Sequence, residues 1–178
     1  MIPRFLAGKK VYLAPHRLDD AEKYMRWIND PEVNRYLENR YMFNMENELE
    51  FLRKAHQPPE KHFFAIHRLE DDALIGAESL VRVNPVHKTA VFGIFIGDKT
   101  CWGKGYGTEA TQLLVKYAFH SLNLHRVELD VFAFNQRAIR AYEKAGFRRE
   151  GLAREAIFVN GQYEDVVKMG ILASDLKP

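Results

Sequence analysis

Apolar positions along the chain follow two rhythms, and the switches between them outline the elements. Residues 10–15, KVYLAP, alternate and stop at a proline, which predicts a short strand. Residues 18–30 carry Ala21, Tyr24, Met25 and Ile28 at helical spacing, with Asp19 as the capping residue and Pro31 as the stop. Residues 44–56 predict a second helix, capped by Asn44. A Pro-rich break, HQPPEKH, leads into three β-like runs at 62–68, 73–83 and 89–98, the second holding Gly76 as a candidate bulge. After a glycine-rich stretch, Ala110, Leu113, Leu114, Tyr117 and Ala118 form the stripe of an amphipathic helix starting near Gly107. Residues 126–132 read as a strand. Residues 135–146 read as a helix capped by Asn135 and closed by Gly146. Residues 155–172 read as a hairpin turning at Asn160-Gly161. The order implies a mixed sheet with helices packed on it.

Composition narrows the class without naming a task. The 178 residues suit one domain spanning 1–178, and 47% hydrophobic with 28% charged residues is an ordinary globular balance. A net charge of +2 is too small to argue for a nucleic-acid or membrane partner. No apolar run approaches about 18 residues and no signal peptide is visible, so a cytoplasmic protein is expected. The single cysteine, Cys101, excludes an intrachain disulfide; no base partner can be placed beside it, so an inert thiol is expected. The histidines show no ligand spacing, and no metal is expected.

The candidate chemistry sits in CWGKGYGTEA, Cys101 to Ala110. A strand, a glycine loop and a helix N-terminus make an anion site, because the first N–H groups of a helix lack internal partners and glycines admit a close ligand. Lys104 and Thr108 can add side-chain donors. A nucleotide P-loop fails, because Lys104 is followed by Gly105. GYGTEA matches a dinucleotide fingerprint, and Glu128 or Asp130 follows at a suitable distance. However, six residues separate the strand from the loop, and the chain closes in a hairpin rather than in further parallel strands. The remaining reading is a coenzyme A diphosphate site.

WGKGYGTEA followed by NLHRVELDVFAFNQRAIRAYEKAGF resembles the GNAT superfamily of acyl-CoA-dependent N-acetyltransferases. Trp102 to Gly107 matches the family loop at Gly105 and Gly107, with Trp102 in place of the usual Gln or Arg. The second block matches at Asn135, Ala138, Tyr142, Gly146 and Phe147. The nearest look is to ribosomal-protein N-terminal acetyltransferases and spermidine acetyltransferases. The resemblance implies an α+β, GNAT-like fold. Its mostly antiparallel sheet has about seven strands, splays in the middle and is flanked by about four helices. It implies acetyl-CoA as cosubstrate and a primary amine as acceptor: a protein N-terminus, a polyamine or a small amine. A homodimer stays open. The coenzyme would lie along Ile94, Phe95, Ile96, Trp102, Gly103, Lys104, Gly105, Tyr106, Gly107, Thr108, Asn135, Ala138 and Tyr142.

Attack of a neutral amine on the thioester in a ternary complex would need donors for the oxyanion. Gly93 to Ile96 would offer a main-chain N–H if the strand bulges near Gly93 and parts from 126–132. Tyr142 is the candidate acid for the leaving thiolate. Val91 stands where the family often places a Glu, so Glu78 is the substitute base if it faces the groove; Glu32 and His87 are weaker candidates. The N-terminal third, with Glu32, Glu38, Glu46, Glu48, Glu50 and the aromatics Trp27, Tyr36, Tyr41 and Phe43, would wall the acceptor side. The rival from another class is a silent acyl-CoA-binding or sensing module, which would keep the loop but not need Tyr142.

Overall fold

The computed structural model describes residues 3–38 and 41–176. Asn39 and Arg40, inside the expected acceptor-side segment, lie outside the described residues. The strands are β1 (Leu6–Ala7), β2 (Val11–Ala14), β3 (His62–Arg68), β4 (Leu74–Asn84), β5 (Thr89–Ile96), β6 (Arg126–Phe132), β7 (Arg148–Val159) and β8 (Gln162–Leu172). The helices are α1 (Ala21–Asn29), α2 (Pro31–Asn34), α3 (Met45–Ala55), α4 (Tyr106–His120) and α5 (Gln136–Ala145). The eight strands form one sheet in the order β1-β2-β3-β4-β5-β6-β8-β7. All neighbours are antiparallel except β5 and β6. The fold class is therefore the expected one, with one strand and one helix more than expected.

The local signals explain where the elements begin and end. Asn44 and Asn47 form a reciprocal capping box at α3. Gly146 closes α5 in the left-handed region at φ 105°. Asn160 and Gly161, at φ 51° and 86°, make the hairpin turn between β7 and β8. Pro31 ends α1 as expected, but it also opens α2, where a missing N–H costs nothing and Asp30 caps Glu32 N–H. Residues 18–20 form a 3-10 turn rather than the first turn of α1, so the Asp19 cap is not used.

Two core clusters lie on opposite faces of the sheet. Helices α4 and α5 cover one face, with Leu114, Ile139, Phe92, Leu129 and Met169 among the buried residues. Helices α1 and α3 cover the other over the β3–β5 region, around Tyr24, Leu52, Ala65 and Ala77. Alternation along β4 assigns its side chains to faces: Ala77 joins the α1–α3 cluster, while Glu78 and Leu80 turn toward α4.

The feature that positions the site is a break in the middle of the sheet. Strands β5 and β6 pair only from Thr89 to Val91 with Arg126 to Glu128. Beyond that point they part, and one edge of the β5 main chain from Phe92 to Ile96 has no strand beside it. No bulge occurs near Gly93; the pairing of Ser79 with Gly93 is regular. The irregularity lies in β4 instead. An extra residue there, between Val81 and Asn84, carries Arg82 to φ 52° and bends the strand.

Candidate active site

The glycine loop joins β5 to α4, and its conformation demands its residues. Gly103 and Gly105 sit at φ 75° and 86°, where a side chain is strained, and Gly105 is the N-cap of α4. Glu109 N–H bonds to Gly105 O at 3.1 Å, the first bond of the helix. Among the described residues, no acceptor faces the main-chain N–H groups of residues 103 to 108. A run of free amides curled ahead of a helix dipole is an anion nest.

The loop is pinned from three sides. The Trp102 indole N–H donates to Ile96 O at 2.7 Å, so this residue fastens the loop to the end of β5 and spends its donor there. The Lys10 ammonium donates to Lys104 O at 3.0 Å and brings a cation to the nest. The Glu109 carboxylate accepts the N–H groups of Lys9, Lys10 and Val11 at 2.8, 2.7 and 2.9 Å, tying β2 to the first turn of α4. Lys10 and Glu109 are contributors that the loop motif alone does not reveal, because their partners lie about a hundred residues away in sequence.

A cavity of about 950 Å³ runs from this loop through the gap between β5 and β6 to the α1–α3 face. Of the residues expected to hold the coenzyme, Ile94, Phe95, Ile96, Trp102, Gly103, Gly105, Gly107, Thr108, Asn135, Ala138 and Tyr142 line it. Lys104 and Tyr106 do not; Lys104 is exposed at the outer rim, and Tyr106 packs against the main core. Asn135 Oδ1 caps α5 by accepting from Ala138 N–H at 3.2 Å, leaving its amide NH2 for a ligand. The Arg137 guanidinium stacks 3.8 Å from the Trp102 ring centre, and burial lowers its pKa.

Tyr142 stands inside the cavity, edge-to-face with Phe92 at 6.1 Å. Burial pushes its pKa well above the usual phenol value, and the nearby Glu78 carboxyl adds to the rise. Tyr142 therefore keeps its proton throughout the ordinary pH range and is available as a hydrogen-bond donor. Glu78 also lines the cavity, from the α4 side of β4. It is 1% exposed and neither carboxylate oxygen has a partner among the described residues. Burial alone raises its pKa well above the ordinary carboxylate value. Glu32 pairs with Lys99, and His87 is exposed on the β4–β5 turn, outside the cavity.

Cys101 lines the cavity but is buried, and burial raises its thiol above the ordinary value. Among the described residues no group of three His, Cys, Asp or Glu could hold a metal, and no helix is long and apolar enough to cross a membrane.

Residues 10–148 match the family profile of the acetyltransferase (GNAT) domain. The chain belongs to the GNAT acetyltransferase family. The GNAT protein described as "Probable N-acetyltransferase YjcK" of Bacillus subtilis is 36% identical over 96% of this chain and 98% of its own. The spermidine N(1)-acetyltransferase of Vibrio cholerae is 33% identical over 89% of this chain and 86% of its own. A crystal structure of the spermidine N-acetyltransferase of Vibrio cholerae, in complex with CoA and spermine, superposes with a TM-score of 0.84. It is 30% identical and covers 93% of this chain and 96% of that one. As a GNAT enzyme this protein is an acetyl-CoA-dependent N-acetyltransferase, and acetyl-CoA is its acyl donor.

Proposed function

We propose that the enzyme transfers acetyl from acetyl-CoA to a primary amine by direct attack, with both substrates in the cavity at once. The observation that carries this reading is the continuous cavity through the parted sheet, with free amides at one end and Tyr142 within. The diphosphate would sit on the N–H groups of residues 103 to 108, and the pantetheine arm would run along the unpaired edge of β5 past Asn135. The neutral amine nitrogen bonds to the thioester carbonyl carbon and releases a proton to water, the C–S bond breaks, and the thiolate leaves, taking a proton from Tyr142 that the tyrosine regains from water. A main-chain N–H on the free edge of β5 would meet the oxyanion. The Tyr142 hydroxyl would donate to the leaving sulfur. The acetylated amines of the Vibrio cholerae relative support a primary amine as acceptor. The shielded, protonated Cys101 thiol argues against an acyl-cysteine intermediate.

Initial rates over a grid of acetyl-CoA and amine concentrations test this. Intersecting reciprocal plots are expected, and Tyr142→Phe should lower kcat by about 10- to 100-fold with little change in coenzyme affinity. Parallel plots would replace direct transfer by a covalent relay. Full activity of Tyr142→Phe would remove the donor role.

A further inference from the structure

The acceptor end of the cavity differs in kind from the coenzyme end. Phe51 and Phe63 meet edge-to-face at 5.5 Å, and Ile28, Val33 and Leu52 continue the same wall. Into it α3 places Glu48, which is 1% exposed and whose Oε2 has no partner among the described residues. Beside it His16 Nδ1 and the Tyr24 hydroxyl are bonded at 3.1 Å, and His16 Nε2 is buried without a partner among the described residues. Burial lowers the His16 pKa to about 4, so the ring is neutral and repels no cation.

Charge is scarce here. Of the acids in this part of the chain, Glu32 is held by Lys99 and Glu50 by Lys54. Glu46 does not line the cavity. Glu38 does line it, but it is exposed at the mouth, whereas Glu48 is buried. The strand residues facing α1 and α3 add Ala77, Ser79 and Val81, and no carboxylate. A linear polyamine carries several ammonium groups, and each one drawn into the apolar wall loses water and needs a carboxylate. One buried carboxyl in an apolar wall suits a different guest.

Building on the N-acetyltransferase reading, we propose that the acceptor is a primary amine with a single cationic nitrogen and an apolar group close beside it. The apolar group lies against Phe51 and Phe63, and Glu48 compensates the charge of the incoming ammonium. Glu48 is thus a specificity-determining residue. A free arylalkyl or branched alkyl amine and the N-terminal residue of a peptide beginning with Phe or Leu share this chemistry.

Acetylation of 2-phenylethylamine, 3-methylbutylamine, spermidine and short peptides starting with Phe, Leu or Gly tests the proposal. An apolar monoamine or a Phe- or Leu-peptide should exceed spermidine in kcat/KM by about tenfold or more. The better of those two arms identifies the source. Glu48→Gln should raise the KM of the preferred amine about tenfold and leave coenzyme affinity unchanged. Phe51 is 42% exposed, so Phe51→Ala should fold normally and lower the preference over spermidine several-fold. Preference for spermidine, or an unchanged amine KM in Glu48→Gln, overturns this proposal alone. Coenzyme binding without turnover of any amine overturns the enzymatic reading and this one with it.

Discussion

Glu78 shows what enclosure does to a carboxyl. It lines the cavity, yet its carboxyl is enclosed and has no hydrogen-bond donor among the described residues. The consequence for stability has a definite sign. Its pKa is raised in the folded protein, so folding favours the protonated form. That contribution is complete below the ordinary carboxyl value of 4.5 and is lost as pH rises toward the folded value. Glu78→Gln keeps the shape and cannot ionise. Chemical denaturation should find it equal to the parent near pH 4 and increasingly more stable than the parent through pH 8. A parent that outlasts the variant at pH 8 would mean that Glu78 is ionised and paired. The sequence could supply Glu78 as a candidate but not its surroundings, because orientation toward α4 depends on which face of β4 is covered. Glu48 poses the same problem of legibility on a helix: α3 carries three glutamates, Glu46, Glu48 and Glu50, and only packing decides which one turns inward.

At the scale of elements, the parts legible in advance were those with local causes. Asn44, Asn135, Gly146 and the Asn160-Gly161 turn each satisfy backbone groups within a few residues, so their positions follow from the string of letters. What could not be read depends on distant partners. The two-residue β1 exists only because Leu6 and Ala7 meet Leu13 and Tyr12. The strand before the hairpin turn starts at Arg148, not Glu155, and runs through two register shifts, with Glu155 at φ 49°. Its alternation is scrambled there, so a period-two reading stops short. The glycine loop is the element on which function turns. A Glu at position 105 would be strained at φ 86° and would place a negative charge on the nest near the Lys10 ammonium. Gly105→Glu should therefore weaken coenzyme binding by at least about 100-fold in titration calorimetry, with α4 still formed by circular dichroism. Unchanged affinity would move the diphosphate elsewhere.

At the scale of the molecule, the sheet is nearly divided. Strands β1 to β5 and the group β6, β8, β7 are joined by a short parallel ladder at one end of the break. The expected splay was legible only through the family resemblance, since no periodicity announces where two strands stop pairing. A coenzyme seated in the gap touches both halves and binds only the folded state. At a hundred times its dissociation constant it should add about 2.7 kcal/mol. For a chain of this length that corresponds to a rise in melting temperature of roughly 5–10 °C. Thermal denaturation with and without acetyl-CoA measures it, and the Gly105→Glu protein should show no rise. An unshifted parent would mean that the gap is not where the coenzyme binds.

The parting of β5 from β6 also decides how traffic is managed. An opening framed by main chain on both sides needs no flap to uncover it, and it has a front and a back. Donor and acceptor can approach from opposite sides of the same partition, and the spent carrier and the finished amide can each retreat the way they came.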